Sequence, residues 1–110
     1  MSQKECVIVC TTLPAQADSV AFGRKLVDER LAACVSTQPG VHSVYRWHDS
    51  IQENEEQQLL IKTTRDRVSQ LEKRLHEIHP YEVPELLVFR VAGGSSRYIG
   101  WLRKCTSETA

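Results

Sequence analysis

The stretch His79-Pro80-Tyr81-Glu82-Val83-Pro84-Glu85 decides how the rest of the chain is read. Before it, Val68, Leu71, Leu75 and Ile78 recur at helical spacing, and after it Leu86 to Val91 reads as an apolar strand. Each proline removes a backbone donor and disfavours helical geometry at the residue before it, so His79 and Val83 are pushed toward extended conformations. The segment is therefore a stiff connector from helix to strand, carrying an imidazole, a phenol and two carboxylates. A plain solvent linker needs neither that rigidity nor such varied chemistry.

Upstream, Gln57 to Thr63 reads as a strand and Thr64 as a plausible N-cap for the helix that leads into the connector. Polar His48 to Glu56 is expected to form a hairpin tip. Cys34 to Thr37 and Val41 to Trp47 read as strand, interrupted by Pro39-Gly40, a turn or bulge signal. Near the start, Glu5 to Thr11 is a β-branched apolar run expected to be a central strand, and Pro14 sits at a good position to begin a helix. Ser19, Phe22, Gly23, Leu26, Val27 and Leu31 then share one helical face. Downstream, Glu85 to Ala92 is the last strand. Gly93-Gly94-Ser95-Ser96 breaks the chain and offers a hydroxyl cap to a short helix bearing Tyr98, Ile99, Trp101 and Leu102. Cys105 lies in that helix, near a tail expected to be disordered.

The order β-α-β-β-α-β plus a C-terminal helix predicts an α+β fold of the ferredoxin-like, split-βαβ kind, as a single domain over residues 1–110. Two helices should cover one face of an antiparallel sheet, leaving the other face without a partner. Tyr45 and Trp47 are two apart and point to one side of their strand. Monomers rarely expose a large apolar patch, so the bare face calls for another subunit.

The 14 basic and 14 acidic side chains cancel, which argues against the basic footprint that nucleic-acid binding requires and removes net repulsion between copies. The apolar run from Cys6 to Cys10 is too short for a signal-peptide core or membrane span, so a cytoplasmic location is expected. The four cysteines form no metal motif and read as free thiols in a reducing compartment. Cys6 and Cys10, four apart on one strand, stand about 13 Å from each other and cannot form a disulfide. No nucleophile-elbow, P-loop, dinucleotide-binding or zinc-protease signature is present, and the chain reads as a binding protein, not an enzyme.

The connector, together with Leu31-Ala32-Ala33-Cys34-Val35, Pro39-Gly40, Ser43-Val44-Tyr45-Arg46-Trp47, Ile61-Lys62-Thr63-Thr64 and Tyr98-Ile99-Gly100-Trp101-Leu102, resembles the CutA family of divalent-cation tolerance proteins in order and spacing. The resemblance spans nearly the whole chain. It implies a compact homotrimer and a role in metal tolerance, with weak binding of copper or another divalent cation. Copper-binding proposals for the family pair a strand cysteine with histidines just before Pro-Tyr, which here correspond to Cys10, Ile78 and His79. Ile78 supplies no ligand, so the implied metal set reduces to Cys10 and His79, suited to soft or borderline metals. The plainer reading of His79 is a helix-end residue satisfied by a carbonyl or water. His42, His48 and His76 read as solvated or hydrogen-bonded imidazoles.

Lys62 stands in an otherwise apolar strand. Either it snorkels to the surface, or it pairs with Glu85 or lines an inter-subunit pocket with Tyr81 and Trp47. Such a pocket, bounded by Tyr45, Trp47, Lys62, Tyr81 and Glu85, suits a small anionic or polar ligand. The second functional reading is therefore a regulatory protein that senses small ligands between subunits, by analogy with the trimeric, ferredoxin-like PII signalling proteins.

Overall fold

The buried run Cys6–Pro14 forms β1, apolar on both faces because it lies inside a sheet. A computed structural model describes residues 2–107. β1 pairs antiparallel with β3 (Ser50–Thr64) on one side and with β4 (Leu87–Arg90) on the other, and β2 (Cys34–Trp47) pairs antiparallel with β3. The four-stranded order β2-β3-β1-β4, with α1 (Ser19–Asp28) and α2 (Val68–Ile78) in the crossovers, is the expected ferredoxin-like α+β arrangement. Val7, Val9 and Leu13 of β1 and Leu59 and Ile61 of β3 meet Phe22 and Leu26 of α1 and Leu71 and Leu75 of α2 in the main core. The tail expected after Cys105 lies mostly in residues 108–110, outside the described residues.

Three local expectations are corrected. Pro14 does not open α1; it ends β1, and α1 is capped by Asp18, whose carboxylate accepts from the Ala21 amide at 3.0 Å. A proline is tolerated there because Pro14 is the last residue of β1, opposite Glu56 of β3 and past the end of the β4 pairing, which reaches no further along β1 than Cys10. The hairpin tip is not His48 to Glu56 but only His48 and Asp49, both at positive φ, between the paired Trp47 and Ser50. Ser50 to Glu55 is exposed on both faces, so no apolar alternation marked it as strand. Thr64 precedes a single 3-10 turn, Arg65–Arg67, and makes no side-chain cap to its backbone; its hydroxyl donates to Asp66. The break at Pro39-Gly40 holds: the β2–β3 register shifts between Gln38 and Val41, and Gly40 takes φ +73°, which favours glycine. Ser95 caps α3 (Ser96–Cys105) by accepting from the Tyr98 amide.

The second sheet face is only partly bare. α3 covers one end of it through Leu102, which joins Cys6 and Ala33 in a smaller cluster flanked by Val91, Ile99 and Cys105. Past that cover the face shows Leu60, Leu87 and Phe89, at 36%, 53% and 52% exposure. The four cysteines are free thiols; Cys6 and Cys10 are buried, while Cys34 is only half-buried. No helix among the described residues is long and apolar enough to cross a membrane.

Candidate functional site

The connector after α2 is held at its first residue. Extended geometry at His79, imposed by Pro80, ends α2 and turns the imidazole back onto β1. Nδ1 accepts from the Tyr81 amide at 3.1 Å, so Nε2 carries the proton and donates to the Thr12 carbonyl at 2.6 Å. Nε2 also stands 3.5 Å from the Thr11 hydroxyl, and the ring meets Phe22 of α1 edge-on. Burial holds the His79 pKa below the ordinary histidine value; the bond to Thr12 and the charge of Glu56 oppose that shift, and His76 adds to it. The residue is thus a neutral imidazole with both nitrogens engaged, the carbonyl-satisfied reading of the sequence.

Two residues later Tyr81 donates its hydroxyl to Glu56 Oε2 at 2.6 Å. Burial first, then the Glu56 hydrogen bond and the charges of Glu56 and Tyr45, push the phenol upward, so it stays protonated. Glu56 is buried where β3 leaves the body of the sheet, opposite Pro14 and Val41. Beyond it the β2–β3 arm carries Tyr45 and Trp47, both about two-fifths exposed, and Asn54 donates to the Tyr45 hydroxyl. Arm and connector enclose a cavity of about 730 Å³ bounded by Thr12, Ser43, Tyr45, Trp47 and Glu56 on one side and Pro80 to Glu85 on the other.

Of the residues expected in a pocket, Tyr45, Trp47, Tyr81 and Glu85 come together here. Lys62 does not. It is paired with Ile8 and Cys34, six residues along β3 from Glu56, roughly 20 Å away. Cys10 and His79 are not assembled into a pair either. Cys10 leaves β1 on the face of Leu60 and Leu87, whereas the imidazole rests on Thr11 and Phe22 of the helix-covered face. Burial, with the charge of Glu85, raises the Cys10 thiol above its usual pKa and disfavours the thiolate that a metal needs. Among the described residues no group of three His, Cys, Asp or Glu side chains is placed to hold one metal ion. Sequence reasoning missed Glu56 and also Gln57, whose amide nitrogen reaches the carbonyls of Pro14, Ala15 and Ala17 at 3.0, 3.4 and 2.9 Å and fixes the turn beside the cavity. Both lie in a polar run with no motif to flag them.

These features define a ferredoxin-like α+β protein whose proline-stiffened connector closes a cavity against a projecting hairpin. The family model described as CutA1 divalent ion tolerance protein matches residues 7–105. The divalent-cation tolerance protein CutA of Thermus thermophilus is 40% identical over 99 residues, covering 90% of this chain and 96% of that protein. The crystal structure of CutA1 from Oryza sativa aligns with a TM-score of 0.90 at 33% identity, covering 94% of this chain and 95% of that one. The PII-like protein CutA from Nostoc sp. PCC 7120, in apo form, aligns with a TM-score of 0.84 at 33% identity, covering 92% and 97%. The chain belongs to the CutA1 divalent ion tolerance family.

Proposed function

We propose that this chain serves divalent-cation tolerance as a homotrimer that binds a small ligand reversibly in the cavity between connector and arm, in a reducing compartment such as the cytoplasm, without catalysing a reaction. The doubly bonded His79 carries this reading: both nitrogens are used to shape the connector, Nε2 holding the proton given to Thr12 and the Nδ1 lone pair accepting from the Tyr81 amide, so no free lone pair is left for copper or another cation. Cys10 and His79 on opposite faces of β1 likewise offer no thiol–imidazole couple for covalent chemistry. The bare Leu60, Leu87 and Phe89 support assembly with further copies. The PII-like description of the Nostoc relative supports regulation by a bound ligand.

Two titrations test this. Calorimetry of the reduced protein with copper and zinc is expected to give weak binding that is the same in wild type and Cys10→Ser. Tight stoichiometric copper binding that the variant loses would overturn the cavity reading in favour of a metal site. A thermal-shift screen of small metabolites is expected to find a ligand that raises Tm, because a ligand of the native state at 100 times its Kd adds about 2.7 kcal/mol. That rise should be lost in Tyr45→Ala.

A further inference from the structure

The charges that one chain brings to the cavity favour a different ligand class from the anionic or polar one that Lys62 had suggested. With Lys62 roughly 20 Å away along β3, every charged side chain on the cavity wall is a carboxylate: Glu56, Glu82 and Glu85. An anion entering here meets like charge from both walls. Glu56 is fixed by the Tyr81 hydroxyl, while Glu82 and Glu85 are exposed on the connector. The remaining wall is aromatic, with Tyr45 and Trp47 on the arm facing Tyr81 on the connector. Ring faces attract cations through their quadrupole, and tryptophan does so best.

The carboxylates do not converge on a point, since no three acidic, histidine or cysteine side chains among the described residues can share one metal ion. A compact divalent ion demands several oxygen or nitrogen ligands at about 2–2.5 Å. A larger cation, its charge spread over alkylated nitrogen, needs no such ligand set; it needs ring faces and a diffuse negative field. The volume of about 730 Å³ fits a metabolite, not a bare ion. We propose that the cavity takes a small organic cation, an alkylated ammonium seated among Tyr45, Trp47 and Tyr81 and balanced by Glu82 and Glu85. This inference rests on the cavity being the ligand site.

Calorimetry on the full chain at moderate salt, with choline and its uncharged isostere 3,3-dimethylbutan-1-ol, tests it. Choline is expected to saturate at one per chain, and the isostere to bind at least about tenfold more weakly. The double variant Glu82→Gln, Glu85→Gln removes charge from exposed positions without touching the core. It should weaken choline about tenfold with an unchanged circular dichroism spectrum. Trp47→Leu should weaken choline by a similar factor. Equal binding of choline and isostere, or choline affinity indifferent to the glutamine variant, overturns the proposal. If neutral or anionic metabolites raise Tm and choline does not bind, the cavity remains the ligand site and the organic-cation class falls. If no organic molecule raises Tm, both fall.

Discussion

His79→Ala is expected to lower folding stability by about 2–4 kcal/mol while leaving copper affinity unchanged. The substitution strips the Thr12 carbonyl and the Tyr81 amide of their side-chain partner and removes a buried ring from its edge contact with Phe22. Wild type should also lose stability as the medium is acidified. The folded imidazole has a pKa below its unfolded value of about 6.5, so the unfolded chain binds the proton first as pH falls. The His79 contribution is complete above about pH 6.5 and drains away as pH drops toward the folded-state pKa. Protonated Nδ1 can no longer accept from the Tyr81 amide. Glu56 and His76 are the charges that act on the ring, in opposite senses. Urea unfolding at pH 7.5 and 5.5, at one fixed protein concentration, should show a smaller pH effect in His79→Ala than in wild type. Equal pH slopes, or a midpoint unmoved by the substitution, would place the structural role of His79 elsewhere.

Phe89→Asp is expected to abolish assembly. Wild type should scatter light as a species of about three times the 12.5 kDa chain, and the variant as a single chain. Phe89 is paired with Ile8 and stands beside Leu87 and Leu60 on the face that α3 leaves open. A carboxylate buried there in an apolar subunit contact costs several kcal/mol per chain, whereas on a free surface it costs almost nothing; Lys62, across Ile8 on the same face, offsets only part of that cost. Lys73→Asp, on the exposed side of α2, is the control for charge alone. A wild-type protein that scatters as a monomer at all concentrations would remove the homotrimer from the proposed function.

Much of this was legible because its physics is local. Prolines around Tyr81 forced an extended connector, Pro39-Gly40 announced an irregular strand, and Ser95 offered a cap that α3 uses. The helices showed themselves through Phe22 with Leu26 and Leu71 with Leu75, whose spacing repeats the turn of the helix. The site was less legible because its partners meet only in the fold. Glu56 gains meaning from Tyr81, 25 residues away, and the carbonyl that fixes His79 belongs to Thr12, 67 residues away. Lys62 stands apart: its type suggested a pocket between subunits, and its place along β3 puts it outside the cavity of its own chain. The arm from Ser50 to Glu55 escaped because a strand exposed on both faces has no burial pattern to write into its sequence.

Between Gln38 and Val41 the chain takes three steps along β2 while β3 takes two, from Gln58 to Glu56. That one surplus residue inverts the parity of everything distal to it. Even-numbered side chains such as Ser36 and Gln38 share a face with the odd-numbered Ser43, Tyr45 and Trp47. Loss of Gly40 would therefore act less as a local dent than as a reversal of sides, moving both aromatic rings to the opposite face of the arm and bringing Arg46 round in their place. In this hairpin, length counted in single residues decides which side chains face the connector.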